Sequence, residues 1–354
     1  MNYKQADALK IFKPRNVLIP VLISLVWVVW MVYSSWGDTQ KKPITWDSHV
    51  FFWLGLTLVL LIIRMLAYMW RINILSDGQL KLKSSFQVIT IWEFASAITP
   101  SVIGGTAVAM FILTKEKIKL GKSTAIVLVT AFLDELFFIL FAPILLLTVG
   151  IPAMFPNHSN LFEPGNLLAK IDDSHLKFSF IIGYAILLLY TLLIAYGIFI
   201  KPTSVRNLLI SIFKIRFLKK WSASAHKIGD DIVTASNALK NKKFSFWIKS
   251  FLATILACLG RYLEANFVII AFAGFGDQFV MFARSFVMWI IMMIPTTPGA
   301  SGVAEGAFIA LFKDMIMGME GLIPFMWRGF SYFPYIILGI IILPKWIRRV
   351  YQVK

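Results

Sequence analysis

Eight stretches of this sequence are too apolar to be left in water, and they dictate what the chain can fold into. They lie at about 17–36, 49–70, 86–114, 123–149, 178–200, 250–273, 279–312 and 322–344. About 20 apolar residues cross a bilayer core as one helix. Inside that core every backbone N–H and C=O must find its partner within the protein. The chain is therefore read as all-α, a polytopic integral membrane protein forming a single membrane domain over residues 1–354. Hydrophobic residues make up 58% of the chain, well above an ordinary soluble domain, and mean hydropathy is +0.76. The first run is too long for a signal-peptide core and no small-residue cleavage site follows it, so it is read as a retained span.

Two of the runs are broken. Segment 86–114 contains "TPSVIGG" at 99–105 and segment 279–312 contains "PTTPGASG" at 295–302. Proline removes a helix donor and glycine weakens the helix, so such a run fits a broken or re-entrant element better than a straight span. The positions of lysine and arginine discriminate between these, because basic loops stay cytoplasmic. Residues 1–15, 71–83, 115–122, 201–249 and 345–354 hold 26 of the 35 basic residues, while loops 37–48, 150–177, 274–278 and 313–321 hold 5. If both broken segments turn back to the side they came from, every basic-rich stretch lies on one side. The expectation is six full spans plus two re-entrant hairpins (86–114 from the cytoplasm, 279–312 from outside), with both termini cytoplasmic. The net charge of +17 then follows membrane topology and not nucleic acid.

Placing Pro100 on Pro298, an offset of 198 residues, superimposes "TPSVIGGTAVAMFIL" on "TPGASGVAEGAFIAL". With opposite entry sides, this describes an inverted-topology repeat, whose substrate site lies between the halves. Each returning arm would begin a helix at mid-depth, near Gly105 and Gly302, with unpartnered N–H groups and the positive end of the dipole. Two such termini suit an anion. The tips are Thr99, Pro100, Gly104 and Gly105 in the first hairpin, and Pro295, Pro298, Gly299, Ser301 and Gly302 in the second.

Ionisable residues inside apolar runs are expensive and mark cavities or pairs. Seven are candidates for substrate binding or coupling: Glu305, Arg284, Arg261, Glu264, Asp134, Glu93 and Arg64. Glu305 falls in the first turn of a returning arm, Arg284 and Glu93 on the inward arms, and Arg261 and Glu264 three apart on one face. Arg64 is near enough to a span end to snorkel, and Arg328 reads as an interfacial anchor. Asp134 and adjacent Glu135 point in different directions, so at most one is expected in the cavity. Four scattered histidines show no metal spacing and a lone cysteine, Cys258, excludes an internal disulfide. No metal, cofactor or catalytic residue is expected. In the basic loop, residues 204–221 read as an interfacial amphipathic helix.

"PTTPGASGVAEGAF" fits Pro-x-x-Pro-Gly-x-x-Gly-x-x-Glu at Pro295, Pro298, Gly299, Gly302 and Glu305. With "TPSVIGG" and the spacing of spans, the whole chain resembles the lysylphosphatidylglycerol synthase transmembrane, flippase-like family. In larger members this membrane domain is joined to a cytoplasmic aminoacyl-transferase domain and is thought to move the lysinylated lipid. Here the sequence stops ten residues after the last apolar run, so lysyl-lipid synthesis is not expected. The resemblance implies a non-enzymatic lipid translocase in the cytoplasmic membrane, acting on an anionic phospholipid, an aminoacylated lipid or a polyprenyl-phosphate. A secondary transporter of a small organic or inorganic anion is the alternative. Membrane lipids are the expected partners and nucleic acid is not, with a homo-oligomer left open.

Overall fold

The computed structural model describes residues 45–99, 102–156, 173–212, 222–292, 302–316 and 318–351, with isolated positions at 22, 26 and 300. All regular structure there is helical. Helix α1 (Ser48–Leu75) is followed by α2 (Leu82–Ile98), α3 (Val102–Lys115), α4 (Leu120–Thr148), and a single turn, α5 (Ile151–Met154). Then come α6 (Asp173–Phe199), α7 (Pro202–Ile212), α8 (Ser222–Leu239) and α9 (Phe244–Ala273). The chain ends with α10 (Gln278–Met292), α11 (Val303–Ile316), α12 (Leu322–Ser331) and α13 (Phe333–Val350). Among the described residues, five helical stretches are long and apolar enough to cross a membrane: α1, α4, residues 176–199 of α6, α9, and the bent pair α12–α13. Apart from the isolated positions 22 and 26, the run at 17–36 lies outside the described residues, and with it the sixth expected span.

The order of lengths repeats. A 28-residue helix, arms of 17 and 14 residues and a 29-residue helix form the first series. Helix α9 with 30 residues, arms of 15 and 14, and a 29-residue bent stretch form the second. In each series the helix before the break packs against the helix after it. Gly105 permits this in the first: a Cβ there would fall 2.2 Å from Ser96 Oγ, so only hydrogen fits between α2 and α3. In the second, Gly302 has φ of +86°, a conformation costly for any residue with a side chain. Gly104 lies in the first turn of α3. Pro100, Pro295, Pro298, Gly299 and Ser301 lie outside the described residues.

The two series meet along α1 and α9. At Gly260 a Cβ would sit 3.1 Å from the Leu60 carbonyl oxygen and 3.0 Å from Arg64 Cβ, so the backbones touch as small residues allow in lipid. One apolar cluster packs α1–α4 against α13, and another packs α9–α12 against α4 and α6.

Ion pairs gather one end of the molecule. Asp77, in the α1–α2 turn, accepts from Lys122 at 2.7 Å and Lys242 at 2.5 Å. Burial pushes its carboxyl up, but hydrogen bonds from the two lysines outweigh that and hold it below the usual range. Glu116, after α3, pairs with Arg349 near the end of α13 and accepts from Trp346 Nε1 at 2.8 Å. Four basic-rich segments (71–83, 115–122, 201–249 and 345–354) are thus tied together. Of the amphipathic helix expected over 204–221, the described part ends at Ile212. Helix α7 buries Val205 and links Arg206 to Asp230 of α8 at 2.5 Å.

Candidate functional site

Between the two series lies a cavity of about 380 Å³. Its wall takes residues from both: Arg64, Tyr68 and Arg71 of α1, Trp92, Glu93 and Ser96 of α2, and Thr130, Asp134 and Glu135 of α4. The second series adds Cys258, Arg261 and Tyr262 of α9, Trp289 of α10, and Arg328, Ser331, Tyr332 and Tyr335 near the α12–α13 bend. The ends of both broken helices reach it through Thr99 and Thr106, and through Met292 and Ala300. Such a volume lies at the lower end of the range of small-molecule binding pockets.

The charges in this wall are arranged in pairs. Arg64 is buried and donates to Glu93 at 3.1 Å and Glu264 at 3.3 Å. It also lies 4.7 Å from the centre of the Tyr335 ring. Arg71 is held by Asp134 and donates to Thr254 at 3.1 Å. Arg261 faces Glu93 at a looser 3.5 Å and stacks over Trp289 at 5.0 Å. Tyr68 lies among the three: Arg71 at 5.0 Å, Arg261 at 5.6 Å and Arg64 at 5.9 Å from its ring centre. An aromatic face stabilises a desolvated cation, so these arginines stay charged away from water.

The second broken helix brings its own anion. Glu305, in the first turn of α11, accepts from the Gly302 N–H at 2.6 Å and from Arg328 Nε at 2.7 Å. That is half of a capping box: the third residue of the helix reaches back to the backbone donor before it. Glu305 is buried and outside the cavity wall, but Arg328, which it holds, is in the wall.

Of the seven residues singled out from sequence, Arg64, Glu93, Asp134 and Arg261 meet in the wall. Glu264 stands one shell back, bonded to Arg64 and not to the nearby Arg261. Glu305 acts through Arg328. Arg284 is elsewhere: it donates to the Ala153 and Leu311 carbonyls at 2.8 and 2.9 Å and pairs with Asp314 at 2.5 Å. It is a clamp between α10, α5 and α11. Three expectations change. Arg64 points inward and does not snorkel, Arg328 is buried and is no interfacial anchor, and Asp134 and Glu135 both reach the cavity. Sequence reasoning passed over Arg71 as a loop charge. Its spacing from Arg64 and Tyr68, seven and three residues, places all three on one helix face.

The sequence profile of the lysylphosphatidylglycerol synthase TM region matches residues 17–339. The chain belongs to this family. A relative described as a UPF0104 membrane protein, from Archaeoglobus fulgidus, is 23% identical over 265 residues. The match covers 73% of this chain and 74% of that one. No solved structure matches. The family is that of a membrane region, for which no catalytic domain is named.

Proposed function

We propose that the protein is a lipid translocase, carrying an anionic or phosphate-bearing headgroup through this cavity while the tails stay in lipid. The reading includes six spans, two re-entrant hairpins of opposite entry and cytoplasmic termini. The ion-paired end and the packing of α2 on α3 and α10 on α11 favour it. It also places the protein in the cytoplasmic membrane and treats it as a transporter, not an enzyme. Candidate cargos are an anionic phospholipid, an aminoacylated lipid or a polyprenyl-phosphate.

One observation carries the proposal. Five donors in wall residues have no acceptor among the described residues: Arg64 Nε, Arg261 Nε, Trp289 Nε1, Tyr335 OH and Ser331 Oγ. Buried donors left unsatisfied cost about 1–3 kcal/mol each, so such a set points to a missing oxygen-rich partner. A phosphate offers several acceptor oxygens and a charge that arginine's planar fork can grip. Moving that charge through bare hydrocarbon is prohibitive, which is the reason for a protein path.

The test is reconstitution in vesicles with a labelled lipid of each class. Purified protein should speed exchange of a phosphate-bearing lipid between leaflets. Arg261→Gln should slow it by about 10- to 100-fold, the worth of one charge-assisted bond. Arg261→Lys should recover only part, since the fork is lost. Failure of folded protein to move any lipid in a broad panel, or uptake of a soluble anion instead, would overturn the proposal.

A further inference from the structure

Among the described acids embedded in apolar helices, Glu135 differs from the rest. Glu93, Asp134, Glu264 and Glu305 each face an arginine. Glu135 is buried in the cavity wall, and none of the described basic side chains pairs with it. Its carboxyl Oε2 lies 3.0 Å from Thr191 Oγ1 on α6. That hydroxyl is also 2.8 Å from the Leu187 carbonyl oxygen. A hydroxyl has one proton to donate and a carbonyl has none. When the threonine proton bonds Leu187, as a helical threonine commonly does, the contact with Glu135 needs a second proton. A carboxylic acid O–H supplies it, whereas a carboxylate would set lone pairs against lone pairs. A neutral acid also avoids an unpaired charge in hydrocarbon.

The neighbours give that proton no competitor. On α4 the adjacent group is Asp134, whose partner is Arg71 of α1. From α6, Thr191 and the phenol of Tyr190 are near. On α9, Arg261 faces Glu93, and on α10, Arg284 is tied to Asp314. Lys115 of α3 sits over the Phe111 and Tyr351 rings at the far end of its helix. Helix α8 packs on the first part of α4, at Gly121 and, through Ala238 and Leu239, beside Ala125, Ile126 and Val129; its described ion pair, Asp230 with Arg206 of α7, does not involve Glu135.

We propose that Glu135 is a proton-binding site, neutral in this conformation, and that its proton travels with the headgroup, driving it down the proton gradient toward the alkaline side. The inference rests on the translocase reading. An anion that draws Arg71 from Asp134 leaves a bare negative charge beside Glu135, which favours the proton there. The proton already on Glu135 is thus retained while the anion is bound, and the two cross together. Release breaks only the Glu135 O–H bond, passing the proton to water on the alkaline side.

Two measurements decide it. The first is thermal unfolding of wild type and Glu135→Gln, a fixed imitation of the neutral acid, from about pH 5 to about pH 9. The curves should agree at low pH, and wild type should fall below the variant by several degrees as pH rises. A gap that does not vary with pH overturns the proton site, and this readout needs no transport. The second is the distribution of labelled lipid in vesicles under a pH gradient. One coupled proton should enrich the alkaline-side leaflet up to about tenfold per pH unit. Glu135→Gln, at whatever rate it exchanges lipid, should show no enrichment. Exchange without enrichment in wild type overturns the coupling. Absence of any exchange overturns the translocase reading and the coupling together, leaving the first measurement to rule on the proton site.

Discussion

The Glu305–Arg328 pair offers a sharp test of how the second broken helix is held. Both side chains are almost fully buried, at 1% and 4% exposure, and their charged atoms are 2.7 Å apart. At an effective dielectric of about 20 their Coulomb attraction is about 6 kcal/mol before desolvation is counted. Replacing one partner takes this ion pair from the buried charge that remains, at a cost of about 3–5 kcal/mol. Glu305→Gln is the cleaner probe, because its amide oxygen can still accept the Gly302 N–H. Arg328→Gln should cost a similar amount. The double variant should cost much less than the two singles added, leaving a coupling of about 2 kcal/mol or more. Unfolding in mixed micelles against rising SDS fraction gives the four free energies. Single variants within about 1 kcal/mol of wild type, or an additive double variant, would refute the view that this pair anchors α11 to α12.

Gly105→Ala should destabilise by about 1–3 kcal/mol through its clash with Ser96, and adding Ser96→Gly should restore most of that, read by the same unfolding series. Gly329→Ala, where nothing lies within 4 Å, should be close to neutral and serves as the control. Asp77 should contribute stability above the ordinary carboxylate range that is lost as pH falls through its lowered folded-state value. Melting from neutral to acid pH should show a decline that Asp77→Asn lacks. The effect should be under about 1 kcal/mol, because the side chain is 43% exposed. Asn tolerates the left-handed φ of +56° at that position, so the backbone is spared.

What was legible in the sequence follows from how local each signal is. Helices α1, α4, α6 and α9 announce themselves because burial in lipid demands unbroken apolar runs, and α2, α3, α10 and α11 through the proline and glycine between them. Arg64, Glu93, Asp134 and Arg261 could be picked out because a charge in an apolar helix is costly unless it is paired or lines a cavity. What they bond to could not. Glu264 lies three residues from Arg261, yet its partner is Arg64, 200 residues away and brought there by Gly260. Arg284 carried the same signal as Arg261 but became a clamp, because its carbonyl acceptors belong to α5 and α11. The aromatic residues Tyr68, Trp289 and Tyr335 gave no signal in a chain that is 15% aromatic.

The pairing of charges in the cavity wall has a consequence for how any anion would be held. A wall of bare arginines would grip a phosphate tightly and release it slowly. Here each arginine already has a carboxylate, so a visiting anion displaces an internal one and binding becomes an exchange between nearly equal pairs. The net affinity is then a small difference between large terms, and entry and exit are comparably easy. Passage favours that balance, since a site on a path must be attractive enough to enter and weak enough to leave.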